Sequence, residues 1–101
     1  MSAFGLEIEW DPKKAELNAR KHGVSFVVAA TVLRDPLSVT TLDEEHSEID
    51  ERWITIGLAA NGQCSLVVHT WAQINETNAK VRIISAREAM NSERRKYEEG
   101  Q

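Results

Sequence analysis

The first third of the chain shows two periodicities in turn. Residues 5–10 alternate apolar and acidic side chains, which predicts a short strand. Asp11 is a suitable N-cap, Pro12 fits the first helical turn, and Gly23 can take the left-handed conformation that ends a helix. The segment 25–36 begins with a serine suited to a second N-cap, carries apolar residues at helical spacing and ends in an Asp-Pro pair. These patterns predict one strand followed by two helices.

The remainder of the chain predicts four strands and a closing helix. Asn61-Gly62 is a strong hairpin signal between two apolar segments. The acidic segment 43–50 is expected to be a loop, 75–78 a second turn, and 88–98 the last helix. The strands are predicted at residues 37–42, 52–60, 63–71 and 80–86.

The predicted order β-α-α-β-β-β-β-α indicates an α+β fold. Strands joined by hairpins favour antiparallel pairing, and the helices carry too few apolar positions to form a core without a sheet. We therefore predict a single domain over residues 1–101, with an antiparallel sheet and the helices packed on one face. Neither a membrane span nor a signal peptide is visible, and Cys64 is the only cysteine, so we expect a cytoplasmic protein without disulfides.

The charge distribution is uneven. The net charge of −4, from 12 basic and 16 acidic residues, argues against a general polyanion binder. Six of the acids nevertheless fall within residues 43–51, so most of the bases are separated from them in the sequence. A local basic face could therefore attract phosphate, although an ordinary solvated surface explains the same charges equally well. The bases cluster near the two ends of the chain, at Lys13, Lys14, Arg20 and Lys21, and at Arg82, Arg87, Arg94, Arg95 and Lys96.

Three arginines are candidates for phosphate binding, because the planar guanidinium matches phosphate geometry and stays charged. Arg52 and Arg82 each open a predicted strand on the side of its apolar residues, so each must lie at the rim or be paired. The alternatives are a phosphate clamp and a salt bridge to the acidic loop. Arg87 is expected between the last strand and the last helix, where it could bind anions beside the helix N-terminus or pair with Glu88 or Glu51.

The histidines suggest different roles. His22 ends a helix, where a positive charge is favoured by the helix dipole. His46 lies among carboxylates that favour its charged form, which makes it a candidate general acid, and His69 is expected in the core of a strand. The acidic loop offers Asp43, Glu45, His46 and Glu48 as metal ligands, but in no spacing typical of zinc or calcium, so we expect neither a metal nor a cofactor.

The three tryptophans lie at or in predicted strands, where core packing is the usual role. Trp10 differs from Trp53 and Trp71 because it ends a strand beside Lys13 and Lys14. An aromatic ring next to cations is typical of surfaces that stack nucleic-acid bases. We therefore take Trp10, with the two lysines, as a candidate nucleic-acid contact.

Several spaced motifs resemble, in order, those of the BrnT family, the ribonuclease toxins of type II toxin–antitoxin systems. The resemblance covers nearly the whole chain. It is carried by Glu9-Trp10-Asp11-Pro12-Lys13-Lys14, Asn18-Ala19-Arg20-Lys21-His22-Gly23-Val24-Ser25-Phe26, His46-Ser47-Glu48, Glu51-Arg52 and Arg82-Ile83-Ile84-Ser85-Ala86-Arg87.

The resemblance implies a RelE-like ribonuclease fold and a toxin that blocks translation by cutting RNA. It also implies a cognate BrnA-like antitoxin with a dimeric ribbon–helix–helix domain, which would neutralise the toxin and bring it to operator DNA in a hetero-oligomer. By position, the residues implied at the active face are Lys21, Glu51, Arg52 and Arg82, with His46 and Arg87 also considered.

Two hypotheses for function follow. In the first, the protein is a metal-independent RNA endonuclease that works through 2′-hydroxyl attack, with Arg52 and Arg82 on the scissile phosphate and His46 or Lys21 in proton transfer or charge stabilisation. In the second, the nuclease has decayed, and the chain is a binding module that acts as antitoxin partner and co-repressor. The acidic loop and the net charge of −4 motivate this alternative, beside a third hypothesis of a plain dimerising domain.

Overall fold

One sheet and three helices make up the computed structural model, which describes residues 5–46 and 51–100. A single 3₁₀ turn, Glu44–His46, follows the second strand. The helices are α1 (Pro12–His22), α2 (Phe26–Val32) and α3 (Asn91–Glu99). The strands are β1 (Gly5–Glu9), β2 (Val39–Leu42), β3 (Trp53–Leu58), β4 (Cys64–His69), β5 (Ala72–Gln73) and β6 (Asn78–Glu88).

The sheet is mixed, with strand order β1-β6-β4-β3-β2 and the two-residue β5 beside β6. β2, β3, β4 and β6 pair antiparallel, as predicted, and β5 adds an unpredicted antiparallel bridge. The prediction of an antiparallel sheet is wrong for β1, which runs parallel to β6 with Glu9 opposite Arg82. Parallel strands need a long crossover, and everything between β1 and β6 serves as that connection.

Both of the first two helices begin where the sequence predicts, and α1 also ends there, whereas α2 ends at Val32, before the Asp35-Pro36 pair that was expected to end it. The carboxylate of Asp11 accepts a hydrogen bond from the Lys13 amide at 2.9 Å, and Gly23 ends α1 with a φ of 71°. The hydroxyl of Ser25 accepts one from the Val28 amide at 3.1 Å and caps α2. Both side chains satisfy amides that the first helical turn leaves unpaired.

The helices cover both faces of the sheet, so the prediction of helices on one face is wrong. Val67 of β4 packs with α1 and α2 in a core that includes Phe26. Its neighbour Leu66 packs with Cys64 and with Tyr97 of α3 in a second, smaller core. Successive strand residues point to opposite faces, and β4 is apolar on both, so each face needs its own cover.

The last strand is longer than predicted, and α3 begins later. Glu88 still pairs with Ser65 in the sheet, and the Ala89 amide donates to the Cys64 carbonyl at 3.0 Å. The carboxylate of Glu93 then accepts from the Met90 amide at 2.8 Å, and the helix starts at the next residue. The segment expected to begin the helix is thus held by pairing with β4.

Asn18 of α1 closes the edge of β6 beyond the end of β1. Its Nδ2 donates to the carbonyls of Ala86 and Val24, both at 2.9 Å, and its Oδ1 accepts from the Ala86 amide at 3.1 Å. Both backbone groups of Ala86 therefore point away from β4, and a side-chain amide bonds them as a neighbouring strand would. This contact fixes α1 against the strand that carries Arg82.

Asp35 links the two faces of the sheet at the end of β3 that leads into the hairpin with β4. Its carboxylate accepts from the Leu58 amide at 2.8 Å, from the Leu37 amide at 3.0 Å and from the Tyr97 hydroxyl of α3 at 2.7 Å. Burial by itself would raise the pKa of Asp35, but these three donors together lower it, and the carboxylate raises the pKa of Tyr97 to about 12.

Candidate active-site groove

A groove of about 430 Å³ opens at the end of the sheet where β1 stops. Glu9 comes from β1, and Lys80 and Arg82 come from β6, while Glu51 enters from the segment before β3. The rest of the lining is Thr70 and Trp71 from the turn after β4, and Ala72 from β5. The groove thus joins the first strand, the last strand and the central hairpin.

Strand alternation explains why charged side chains collect there. Ile8 packs into the core beneath α1 and α2, and Val81, its partner in the register, is fully buried. The next pair, Glu9 and Arg82, must therefore point to the opposite face, beyond the area that α3 covers. Lys80 has the same parity as Arg82 and lies on the same face.

Glu9 pairs with both cations. Its carboxylate oxygens lie 3.4 Å from Nε of Arg82 and 3.6 Å from Nζ of Lys80. The three side chains are 43%, 58% and 52% exposed, respectively, and ion pairs at such exposure contribute at most about 1 kcal/mol. A phosphate could therefore replace the carboxylate as the partner of either cation at low energetic cost.

Thr70 holds the backbone of Arg82 in place. The Thr70 amide donates to the Arg82 carbonyl at 2.9 Å, and the Thr70 hydroxyl accepts from the Arg82 amide at 3.0 Å. The register of β3 with β4 ends at Trp53 opposite His69, and Arg52 and Thr70 are the residues next to this last pair. The two arginines predicted to bind phosphate therefore flank Thr70, with Arg52 half-buried and Arg82 exposed.

Other predicted site residues lie away from the groove or are occupied. Lys21 is exposed in the last turn of α1, in the layer on the other side of the sheet, so the structure does not bring it to Arg82. Arg87 lies in β6 rather than after it, and both its terminal nitrogens donate to Glu93 at 2.8 Å. The ion pair that the sequence allowed for Arg87 exists, but with Glu93. The hydrogen bonds to Glu93 raise the pKa of Arg87, and in turn they lower the pKa of Glu93.

Trp10 is half-buried and packs edge-on against Phe26, with ring centroids 6.1 Å apart. This contact explains the residue without a nucleic acid, and its predicted stacking role stays a prediction. Lys13 and Lys14 are exposed in the first turn of α1, four and five residues after Glu9. The Cα of Lys13 thus lies at most about 15 Å from that of Glu9.

The buried histidine of β4 is in one defined state. His69 is fully buried, which lowers its pKa, so the ring is neutral. Its Nδ1 lies 2.9 Å from the carbonyl of Thr70 and must carry the hydrogen, so Nε2 accepts from the hydroxyl of Thr55 at 2.6 Å. The prediction that His69 is a core residue is confirmed.

Two predictions reach into residues that the structure does not describe. The side chain of His46 and all of Glu48 lie outside the described part of the chain. Within residues 5–46 and 51–100, no three acidic, histidine or cysteine side chains are placed to hold a metal ion together. Over the same residues, no helix has the length and apolar character that crossing a membrane requires.

Of the residues that line the groove, sequence reasoning identified only Glu51 and Arg82. Glu9 and Lys80 were not identified, although each is a charged residue between apolar ones, half-buried on either side of Glu9 and buried on either side of Lys80. Trp71 was assigned to the core, yet it is 36% exposed and lines the groove. The alternation of side chains along each strand could have identified Glu9 and Lys80. No local pattern identifies Trp71, because β5 and the nearby β-bulge depend on tertiary pairing.

Comparison with known proteins agrees with the resemblance. Residues 10–93 match the family of the ribonuclease toxin BrnT of type II toxin–antitoxin systems. No curated protein matches the chain by sequence. The chain is similar to the crystal structure of the Brucella abortus ribonuclease toxin BrnT, with a TM-score of 0.59 and 22% identity, over 85% of this chain and 99% of that one. That likeness shows the fold, whereas the family match spans most of the sequence. The chain therefore belongs to the BrnT family of ribonuclease toxins, whose type II systems imply an antitoxin partner.

Proposed function

We propose that the protein is a metal-independent RNA endonuclease and that the groove beside β1 is its active site. The observation that carries the proposal is the cluster of Glu9, Lys80 and Arg82, a carboxylate between two exposed cations. RNA cleavage needs a proton acceptor for the 2′-hydroxyl and positive charge on the phosphate in the transition state. The cluster offers both, and its cations supply the charge for which other nucleases use a metal ion.

The proposed reaction is an internal phosphoryl transfer. A carboxylate takes the proton of the 2′-hydroxyl, and the 2′-oxygen attacks the adjacent phosphorus. The bond to the 5′-oxygen of the next nucleotide breaks, and that oxygen takes a proton from a general acid. The products are a 2′,3′-cyclic phosphate and a 5′-hydroxyl, so no water is consumed in this step.

Roles follow from position in the groove. Arg82 and Lys80 would hold the phosphate and stabilise its transition state, with Arg52 binding from the far side of Thr70. Glu9, already between the cations, is the first candidate for the base, and Glu51 is the second. For the general acid we retain His46 on sequence grounds. Lys13 and Lys14 would contact the RNA backbone beyond the cleaved bond.

The test is cleavage of a labelled single-stranded RNA by the purified protein with EDTA present. Arg82→Ala should lower the rate by about 10²- to 10³-fold, as for the loss of one transition-state donor. Glu9→Gln should lower it by about 10²- to 10⁴-fold. The matched control is Arg20→Ala, because Arg20 is an exposed arginine of α1 that is paired with Glu16 and lies in the other layer.

Several outcomes would contradict the proposal. An Arg82→Ala protein that cuts at the parent rate would show that the groove is not the site. Loss of activity in EDTA would contradict metal independence, and a substrate with 2′-deoxyribose at the cleaved position that is still cut would contradict 2′-hydroxyl attack. If the parent protein cuts no RNA and its expression leaves growth unaffected, the decayed binding module becomes the better hypothesis.

We further propose that a dimeric BrnA-like ribbon–helix–helix antitoxin covers this groove and carries the toxin to operator DNA. Masking the cations and the carboxylate is the most direct way to silence a site that lies open at the end of a sheet. In the toxin–antitoxin complex, Arg82 and Lys80 should be protected from chemical modification. A complex in which both stay fully reactive would refute this part of the proposal.

A further inference from the structure

Thr70 is bonded differently from a residue in a regular strand pair. In an antiparallel pair whose two residues bond each other, each backbone amide donates to the carbonyl of the other residue. The Thr70 amide donates to the Arg82 carbonyl at 2.9 Å in this way. The Arg82 amide, however, donates to the hydroxyl oxygen of Thr70, Oγ1, at 3.0 Å. A side-chain oxygen therefore takes the place that the Thr70 carbonyl would have in a regular ladder.

The buried histidine of β4 accounts for this exchange. The Thr70 carbonyl lies 2.9 Å from Nδ1 of His69, which carries the ring hydrogen because Nε2 accepts from the Thr55 hydroxyl. The register of β4 with β6 shifts beside His69, at the same point of the strand. The carbonyl of Thr70 thus bonds the histidine, and its hydroxyl bonds Arg82 instead.

One hydrogen of Thr70 is left without an acceptor. A hydroxyl has one donor hydrogen and two acceptor lone pairs, and the Arg82 amide occupies a lone pair. Among residues 5–46 and 51–100, no oxygen accepts the hydrogen of this hydroxyl. The Glu9 carboxylate, which lines the same groove, is paired with the two cations and not with Thr70. The hydrogen is therefore available to a ligand.

The side chain of Thr70 lies on the same face of the sheet as the cations of the groove. Val68 packs in the smaller core beneath α3, and Thr70, two residues later, has the same parity. Lys80 and Arg82 also point to this face, and all three residues line the groove. A ligand that contacts the two cations can therefore contact the Thr70 hydroxyl from the same side.

The chemistry of these three groups fits one phosphate of a nucleic-acid backbone. The cations supply charge, and the hydroxyl supplies a neutral donor of fixed position, because the amide, the carbonyl and the hydroxyl oxygen of Thr70 are all bonded. A phosphodiester has two non-bridging oxygens, so it can bond the hydroxyl through one of them and a cation through the other. Donors that are held in place before the reaction stabilise developing charge without the cost of reorganisation.

We infer that the Thr70 hydroxyl is a third phosphate-binding group of the groove, and that it donates a hydrogen bond to one non-bridging oxygen of the scissile phosphate. The bond strengthens as negative charge builds on that oxygen in the transition state. This inference rests on the proposed function, because it places the scissile phosphate on Arg82 and Lys80. It gives Thr70 a catalytic role in addition to positioning Arg82, and it makes one non-bridging oxygen distinct from the other.

The experiment replaces the two non-bridging oxygens by sulfur, one at a time. The substrate is an oligonucleotide with ribose only at the cleaved position, and its scissile linkage is natural, the Rp phosphorothioate or the Sp phosphorothioate. Sulfur is a weaker hydrogen-bond acceptor than oxygen. Single-turnover cleavage rates are measured for the parent, for Thr70→Val, which keeps the shape of the side chain, and for Thr70→Ser, which keeps the hydroxyl.

Thr77→Val is the matched control, because it removes a hydroxyl from the exposed turn before β6, outside the groove. Circular dichroism checks the folding of each variant. Thr70→Val should cleave the natural linkage about 10²- to 10³-fold more slowly than the parent, the range for loss of one transition-state donor. Thr70→Ser should recover most of the rate, and Thr77→Val should cleave at the parent rate.

The sulfur linkages separate a donor from a residue that only positions Arg82. The parent should cleave one of the two phosphorothioates slowly, and Thr70→Val should slow that linkage by less than about 10-fold further, because the sulfur has already weakened the bond. A residue that acted only through Arg82 would slow all three linkages by the same factor, and that result would overturn the inference. Equal rates for Thr70→Val and the parent on the natural linkage would also overturn it.

A binding measurement separates this inference from the proposed function. The probe is a labelled 2′-O-methyl oligonucleotide, which lacks the attacking hydroxyl, and affinity is read from fluorescence anisotropy. Thr70→Val should bind it about 2- to 10-fold more weakly than the parent and Thr77→Val do. Weaker binding by Thr70→Val with no cleavage by the parent would support the phosphate contact and contradict the nuclease. Cleavage that is lost in Arg82→Ala but normal in Thr70→Val would leave the proposed function standing without this contact.

Discussion

Asn18→Ala should be among the most destabilising single changes in this chain. The side chain is 7% exposed, and its amide bonds three backbone groups, the carbonyls of Val24 and Ala86 and the amide of Ala86. Each lost bond removes about 0.5–1.5 kcal/mol, and a buried backbone group left without a partner costs about 1–3 kcal/mol, less where water enters the space. We expect a loss of about 3–5 kcal/mol from a free energy of unfolding that is about 5–15 kcal/mol for most domains.

The assay is urea unfolding followed by tryptophan fluorescence, which senses the core contact of Trp10 with Phe26. A loss of 3 kcal/mol should also lower the melting temperature by at least about 12 °C for a domain of this size. The matched control is Asn61→Ala, which removes one bond to the Gln63 amide in an exposed turn and should cost about 1 kcal/mol or less. If the two variants were equally stable, Asn18 would not be acting as a substitute for a neighbouring strand.

Three further changes test other contacts. The hydrogen bonds from Arg87 lower the pKa of Glu93, so the stability that they contribute is present above about pH 4.5 and is lost as pH falls through the folded-state pKa. Glu93→Gln should therefore lose less stability on acidification than the parent, as measured by urea denaturation at a series of pH values. An equal loss in both proteins would contradict this reasoning. Burial lowers the pKa of His69, so stability should fall as pH drops below 6.5, and His69→Gln should show a shallower fall; an equal slope in both proteins would refute it. Gly57→Ala should cost about 1–3 kcal/mol, because its Cβ would lie 3.1 Å from a methyl carbon of Val32; a gain in melting temperature would show that the core relaxes freely.

Local signals in the sequence predict the local features of the fold. Asp11, Pro12 and Gly23 set the bounds of α1 because their effects act within one turn of the helix. Asn61-Gly62 marks the hairpin for the same reason, and Gly62 has the expected positive φ of 85°. The amide of Ala59 bonds the carbonyl of Gln63 across this turn at 3.0 Å.

Features that depend on distant pairing could not be predicted in this way. The parallel partner of β1 is a strand near the other end of the chain, and no residue in β1 specifies the direction of pairing. The start of α3 was placed too early because Arg87 and Glu88 suit a helix as well as a strand, and pairing with β4 decides between them. The sequence does contain a signal that helices cover both faces of the sheet, since the adjacent residues Leu66 and Val67 point to opposite faces and are both apolar. The prediction of a single covered face did not use this signal.

The lining of the candidate groove was predicted in part. Arg82 and Glu51 line the groove, and Arg52 is the residue between Glu51 and β3. Strand parity was the signal for the two arginines, whereas Glu51 came from the family resemblance. The position of Lys21 away from the groove could not be predicted from sequence, since the layer in which a helix surface lies is a tertiary property. Trp71 could not be included, because its exposure depends on how the chain leaves β4.

The parallel pairing of β1 with β6 also determines when the groove can exist. Glu9 leaves the ribosome long before its partner Arg82, and Thr70 must pair with Arg82 as well. Contacts between residues so far apart in sequence close late in folding, because the entropy of ordering the long intervening chain must be overcome first. A nascent chain that has not yet reached Arg82 therefore has no assembled groove. Translation must pass this residue before the groove, and any activity that depends on it, can appear.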